Sequence, residues 1–245
     1  MGKPEISLII PAFNEERYLG QTLSSVREAQ KYYGNPGLIE VVVVDNCSTD
    51  GTEKIARNFG ARVVREKKRC IASVRNRGAA AAEGKILGFL DADSTLTPHM
   101  FCSIHDVMSC DAYIGGGTMI KFERSSPGLF CTRCLTVFPA RWLFGVMGGL
   151  LFTEKKTFEE LGGFDESFYC AEDTDFAIKL KKYGKRKGKK FKVITRDYVI
   201  TSARTFDRFG DWHYFKNIPG ILFRGGIRAF KNKDFCARYW YDIKR

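Results

Sequence analysis

Val41-Val42-Val43-Val44-Asp45 is a run of four β-branched residues stopped by a carboxylate. Branching at Cβ restricts χ1 and favours the pleated strand. A run that is apolar at every position, and not only at alternate ones, suits a strand covered on both faces, as in a parallel sheet. Upstream, Ile6-Ser7-Leu8-Ile9-Ile10 is a second short apolar run, halted at Pro11. Between the two, Leu19, Leu23 and Val26 recur at helical spacing. Downstream, Ser48 or Thr49 suits the N-cap of a helix over residues 52–59, with Gly60 at its C-terminal stop. Residues 61–64 read as a third strand and 71–82 as a helix of small residues packed close on a sheet. Residues 86–90 read as a fourth strand ended by Asp91. This alternation predicts a doubly wound α/β sheet.

Later segments are less regular. Residues 113–117 and 119–122 read as two strands, 129–147 as an aromatic-rich helix, 150–153 as another strand, and the chain after Gly184 as a basic loop. No linker or internal repeat divides the 245 residues, so one α/β domain with a basic C-terminal extension is expected.

Apolar residues make up 44% of the chain and charged residues 28%, which excludes a disordered polyelectrolyte. The net charge of +12 is uneven. Residues 1–177 hold 20 Lys and Arg against 23 Asp and Glu, whereas residues 178–245 hold 20 against 5. Such asymmetry points to an anionic partner (nucleic acid, an anionic membrane or a phosphorylated substrate) or to a solvated basic face. Of eight cysteines only Cys131 and Cys134 form a CxxC, with no second pair to complete a zinc set. Their apolar surroundings suggest buried free thiols and a reducing cytosol. No signal peptide is read at the start. The most apolar stretch, residues 143–152, is too short to cross a bilayer. The expected location is cytoplasmic, either soluble or peripheral on the inner face of the membrane.

Open parallel sheets bind ligands outside the carboxyl ends of their strands. Here those ends are Pro11, Asp45 and Asp91, followed by Asn14-Glu15, Ser48-Thr49-Asp50 and Asp93-Ser94-Thr95. Neither GxGxxG nor GxxxxGK[ST] is present, which argues against dinucleotide enzymes and P-loop ATPases. In Asp91-Ala92-Asp93, side chains at i and i+2 of an extended segment point the same way, and two carboxylates so placed repel unless a cation sits between them. Hard oxygen ligands suit Mg²⁺ or Mn²⁺, which in turn grip a diphosphate. A second acidic cluster, Glu172-Asp173-Thr174-Asp175, precedes a helical pattern. It reads equally as a helix N-terminus enriched in acids or as the seat of a general base, Asp173.

These segments, in order, resemble family 2 glycosyltransferases of the GT-A superfamily. The matching stretches are Ile9-Ile10-Pro11-Ala12-Phe13-Asn14-Glu15-Glu16, Val43-Val44-Asp45-Asn46-Cys47-Ser48-Thr49-Asp50-Gly51-Thr52, Ser73-Val74-Arg75-Asn76-Arg77-Gly78 and Phe89-Leu90-Asp91-Ala92-Asp93. Gly162-Gly163-Phe164-Asp165-Glu166 and Glu172-Asp173-Thr174-Asp175 complete the series. The resemblance implies a three-layer α/β/α fold around a mostly parallel mixed sheet. It implies a GT-A domain over residues 1–210, with a nucleotide-binding half (1–95) and an acceptor-binding half (96–210). A basic, aromatic C-terminal helical extension (211–245) follows. It implies a metal-dependent, inverting transfer of a hexose from a nucleotide-diphosphate sugar, with UDP the commoner donor base and GDP the other.

Position by position, the resemblance implies that Pro11, Ala12, Asn14 and Glu15 wall the nucleotide pocket and that Asp45 accepts a hydrogen bond from the base. Arg75 and Arg204 would lie near the base or diphosphate. Asp91 would contact ribose or metal, and Asp93 would ligate Mn²⁺ or Mg²⁺ with His213 as a third ligand. Asp173 would be the catalytic base. Cys70 stands where the family often has glycine, and the QxxRW motif of processive members is absent, so long-chain synthesis is not expected. Aromatic residues interleaved with Lys and Arg in the tail suit either an anionic membrane and a lipid-linked acceptor or a cap packed over the sheet. Two rival readings are a nucleotidyltransferase of similar fold, which lacks its Gly-rich loop here, and a nucleic-acid-binding protein, which leaves the aspartates unexplained.

Overall fold

The structure is a computed structural model and describes residues 3–132, 134, 149–212, 230–232 and 236. Four parallel strands form its first half: β1 (Ile6–Ala12), β2 (Ile39–Asp45), β3 (Arg62–Arg65) and β4 (Ile86–Phe89). β5 (Ser94–Leu96), β6 (Tyr113–Phe122), β7 (Leu151–Glu154) and β8 (Lys190–Thr201) extend them into one mixed eight-stranded sheet, in the order β3-β2-β1-β4-β7-β6-β8-β5. β7 runs antiparallel to both β4 and β6, so β6 and β8 point the same way as β1.

Helices cover both faces. On one side α1 (Glu16–Tyr32), α2 (Thr52–Asn58) and α4 (Met100–Met108) bury Leu19, Leu23, Ala56, Phe101 and Ile104 against β1 and β2. On the other, α3 (Ile71–Ala81), α6 (Lys155–Glu160) and α7 (Glu172–Arg186) bury Ala72, Val74, Phe158, Phe176 and Leu180. Short α5 (Pro127–Thr132) and α8 (Arg204–Phe209) meet through Leu129, Ala203 and Phe206. The valine run is buried as expected, with Val42, Val43 and Val44 fully covered. The small residues of α3 also do what their size predicts. A Cβ on Gly78 would stand 2.4 Å from Ile9 Cγ2 and 2.8 Å from Val44 Cγ2, so only glycine lets the helix lie that close.

Several expectations need correction. β1 does not stop at Pro11 but continues to Ala12. Ile9 accepts from Leu90 N on the β4 side and Ala12 accepts from Asn46 N on the β2 side. By alternation Pro11 faces the β4 side, where β4 has already ended at Phe89, so its missing N–H costs no ladder bond. The expected pair of strands over 113–122 is one strand, with a register shift between Thr118 and Met119. The segment after Gly184 is no loop. α7 continues to Arg186 and the twelve-residue β8 follows, because its apolar positions are buried by pairing with β6 rather than by a periodic pattern of their own. The N-cap of α2 is Gly51, not Ser48 or Thr49, which are used to brace the neighbouring loop. Cys131 is half-buried and Cys134 exposed, so the CxxC is not a pair of buried thiols. Most of the C-terminal extension and most of the 129–147 segment lie outside the described residues.

Candidate active site

β1, β2 and β4 end at one rim, and the loops that leave them are tied together by short polar side chains. Asn14 holds a left-handed backbone with φ 51°, which its small polar side chain tolerates. Its amide N–H donates to Ser48 Oγ at 3.0 Å, and its Oδ1 accepts from Thr49 N at 2.8 Å. Glu15 N donates to Thr52 Oγ1 at 2.8 Å. Asp45, buried at the end of β2, accepts from Ser48 N at 3.2 Å. Pro11 and Ala12 are buried beneath this floor, paired in register with Val44 and Asp45. Arg69 lies over the Phe13 ring at 3.7 Å and closes one flank.

Asp91-Ala92-Asp93 is a turn, not the extended segment expected from sequence. β4 ends two residues earlier, Ala92 is buried, and Ser94 N donates to Asp91 O at 3.2 Å. The two carboxylates therefore do not lean on each other; each meets a different arginine. Arg75, on α3, reaches Asp91 Oδ1 at 2.6 Å with one nitrogen and Glu172, at the start of α7, with another. Arg204, at the start of α8, makes a fork onto Glu15 at 2.7 and 2.9 Å and places its Nε 3.0 Å from Asp93 Oδ2. Glu15, Asp93 and Arg204 thus form one group, and Asp91, Arg75 and Glu172 another, joined through the turn.

Burial alone would lower the pKa of Arg75, but the charges of Glu172, Asp91 and Asp173 outweigh it and push it up. The same holds for Arg204, where burial is overcome by the hydrogen bond to Glu15 and the charge of Asp93. Both arginines stay charged. Burial pushes the Glu172 carboxyl up to about 7, against the pull of Arg75.

The loop before α7 is held by an unusual clamp. Asn76, next to Arg75 on α3, donates to Phe164 O at 3.0 Å and accepts from Phe164 N at 2.9 Å, as a neighbouring strand would. The Phe164 ring packs on Phe89, Phe158 and Phe176, with centroids 4.8 to 5.3 Å away. Gly163 has φ +68°, and a Cβ there would stand 2.7 Å from Asn76 Oδ1. Asp173 follows on the first turn of α7, half-buried, accepting from Thr174 N at 2.7 Å. Ala171 before it is left-handed, with φ 60°.

Of the residues expected to act, Glu15, Arg75, Asp91, Asp93 and Arg204 are brought together at the rim by direct contacts, and Asp173 adjoins Glu172. Asp45 and Asn14 form the floor beside them, with Pro11 and Ala12 buried beneath it. His213 lies outside the described residues. Among the described residues no three His, Cys, Asp or Glu converge as a ligand set. Asp91 and Asp93 still offer hard oxygens at one turn. The Asp91 side chain is 43% exposed, and its carboxylate is the type of hard oxygen donor that suits Mg²⁺ or Mn²⁺. Glu172 and Asn76 were not singled out by sequence reasoning. Glu172 was present in the acidic cluster, and the signal that it is the buried partner of Arg75 appears only with the fold.

The chain is similar in sequence to glycosyltransferases and in fold to solved structures of them. Residues 7–127 match the profile of Glycosyl transferase family 2. The glycosyltransferase AglE of Haloferax volcanii is 36% identical over 102 residues, 39% of this chain and 32% of AglE. The chain spans about a third or less of the length of AglE and of the putative glycosyltransferase EpsH of Bacillus subtilis, two of the curated relatives it matches. Residues 1–349 of S. aureus TarS in complex with UDP-GlcNAc superpose with TM-score 0.63 at 19% identity, covering 97% of this chain and 73% of that one. The mannosyltransferase PcManGT from Pyrobaculum calidifontis, in complex with GDP-Man and Mn²⁺, superposes with TM-score 0.65 at 21% identity, covering 89% and 65%. The fold is of the GT-A type, and residues 7–127 form a glycosyl transferase family 2 domain.

Proposed function

We propose that this protein is an inverting glycosyltransferase that moves a hexose from a nucleoside-diphosphate sugar to an acceptor hydroxyl. The observation that carries the reading is the Asp91-Ala92-Asp93 turn at the carboxyl rim, bracketed by Arg75 and Arg204 and adjoining the loop that presents Asp173. The chain's residues then divide the work. Pro11, Ala12, Asn14 and Glu15 wall the nucleoside, and Asp45 accepts a hydrogen bond from the base. Arg75 and Arg204 face the diphosphate side of the turn. Asp93 and Asp91, with His213, would hold Mn²⁺ or Mg²⁺, whose charge would make the nucleoside diphosphate a better leaving group. Asp173 takes the proton of the acceptor hydroxyl as its oxygen attacks the anomeric carbon from the face opposite the leaving group. Fixed positions and fixed charges supply most of the acceleration.

The donor is a UDP-sugar in preference to a GDP-sugar. TarS, in complex with UDP-GlcNAc, and PcManGT, in complex with GDP-Man, show that both bases occur on this fold. The acceptor is a glycan or a lipid-linked molecule met at an anionic membrane surface. The support is the basic second half, in which Lys181, Lys182, Lys185, Lys189 and Lys190 border a single depression with Phe191. Among the described residues no helix is long and apolar enough to cross a membrane. Thermal unfolding against UDP, GDP and their sugars, with and without Mn²⁺, tests the donor site. A ligand at 100 times its Kd adds about 2.7 kcal/mol. A Mn²⁺-dependent rise that is lost in Asp93→Ala supports the reading; no rise with any nucleotide overturns it.

A further inference from the structure

The loop that precedes α7 also carries a contact the transfer reaction does not use. Cys170 and Cys236 are 66 residues apart, yet their sulfurs face each other at 2.7 Å. A covalent S–S bond is only about 0.7 Å shorter, at roughly 2.0 Å. Both side chains are buried, Cys170 to 5% and Cys236 to 0% exposure. The segment that brings Cys236 in is fastened along the same loop. Tyr169 N donates to Phe230 O at 3.0 Å, Lys231 reaches Asp165 Oδ2 at 3.1 Å, and Lys231 also lies over the Phe168 ring at 4.5 Å. Cys236 N donates to Asn232 O at 3.0 Å.

We propose that Cys170 and Cys236 are a dithiol–disulfide pair, joined reversibly by exchange with a small-molecule or protein disulfide, that fastens the C-terminal segment onto the loop before Asp173. The hydrogen bond between the two sulfurs, and the burial of both, hold the Cys170 thiol up, whereas that hydrogen bond brings the Cys236 thiol down. With the segment lifted, the Cys236 sulfur attacks one sulfur of R–S–S–R, forming a mixed disulfide and expelling one thiolate. As the segment returns, Cys170, giving up its proton, attacks Cys236 Sγ and expels the second thiolate. The two cysteines lose two electrons and two protons, and the external disulfide becomes two thiols. None of this needs a donor sugar or an acceptor.

The test uses the full chain equilibrated in mixtures of reduced and oxidised glutathione, acid-quenched, alkylated under denaturing conditions and mapped as non-reduced peptides. The expected result is a single dominant cross-link between Cys170 and Cys236. It should form at glutathione ratios that leave exposed Cys47 and Cys110 alkylatable, vanish with dithiothreitol, and be lost in Cys170→Ser and in Cys236→Ser. Oxidation should also slow tryptic cleavage after Lys231 about tenfold in the wild type alone. Because the map is read on the wild-type chain, a variant that fails to fold does not obscure it. Full alkylation of Cys170 and Cys236 at every ratio overturns the proposal, and so does pairing of Cys170 with other cysteines as often as with Cys236.

Discussion

Arg204→Met tests whether the rim is held by charge. Arg204 gives Glu15 two hydrogen bonds, at 2.7 and 2.9 Å, and lies 3.0 Å from Asp93. The Glu15 side chain is 3% exposed and that of Arg204 20%. Methionine keeps most of the arginine stem but strands a carboxylate among covered neighbours. Removing one member of a buried pair costs about 3–5 kcal/mol. The partial exposure of Arg204 places the expectation at the lower end, about 3 kcal/mol. At about 2–4 °C per kcal/mol for a chain of this size, Tm should fall by about 6–12 °C. Adding Glu15→Gln removes the stranded charge, so the double variant should recover at least half of the loss. Calorimetry and guanidinium titration at pH 7 read both quantities. A Tm within about 2 °C of wild type, with a double variant that merely adds its parts, would refute the reasoning: water, not Arg204, would then be solvating Glu15.

Asp173→Asn should lower kcat by about 10²–10⁴-fold while donor Kd, read by calorimetric titration, stays within about twofold. Gly78→Ala should destabilise by about 1–3 kcal/mol in guanidinium titration, because the new methyl meets Ile9 and Val44 and overpacking outweighs the helix preference for alanine. Asn76→Ala should cost about 1–3 kcal/mol, since it strands the Phe164 N–H and C=O, and Asn76→Asp should restore only the acceptor half. The hydrogen bonds of Ser167, then Lys231, hold the Asp165 carboxyl down at about 2, below the ordinary carboxylate range. That contribution is present above about pH 4 and is lost as pH falls toward 2. The Tm gap between wild type and Asp165→Asn should therefore be full at pH 6 and shrink between about pH 4 and 2.

The first half of the fold was readable because each element carries its own pattern. The valines of β2, the helical spacing of Leu19, Leu23 and Val26, and the small residues of α3 all report burial locally. β8 was missed for the opposite reason. Its burial alternates irregularly among lysines, and what makes it a strand is pairing with β6, some 75 positions earlier in the chain. The individual site residues were legible as residue types at strand ends, and their grouping was not. Nothing in the spacing says that Asp91 and Asp93 diverge to different arginines, or that Arg204, distant in sequence, lands on Glu15. The Asn76 clamp was equally hidden, since a side-chain amide that imitates a strand leaves no periodicity.

The length of α7 sets a reach. Its first turn holds Asp173 at the carboxyl rim, and its last turns hold Lys181, Lys182 and Lys185 beside the start of β8, at the opposite edge of the sheet. Fifteen residues at 1.5 Å each put about 22 Å between the two ends. A bilayer resting on the lysine end would face the back of the molecule, and an acceptor anchored in it would need a headgroup long enough to climb that height. A bilayer meeting the rim itself would admit a phosphate-linked sugar of a single unit. If the proposed transfer takes place on a membrane, the shortest acceptor glycosylated there would be a ruler for which end of α7 faces the lipid.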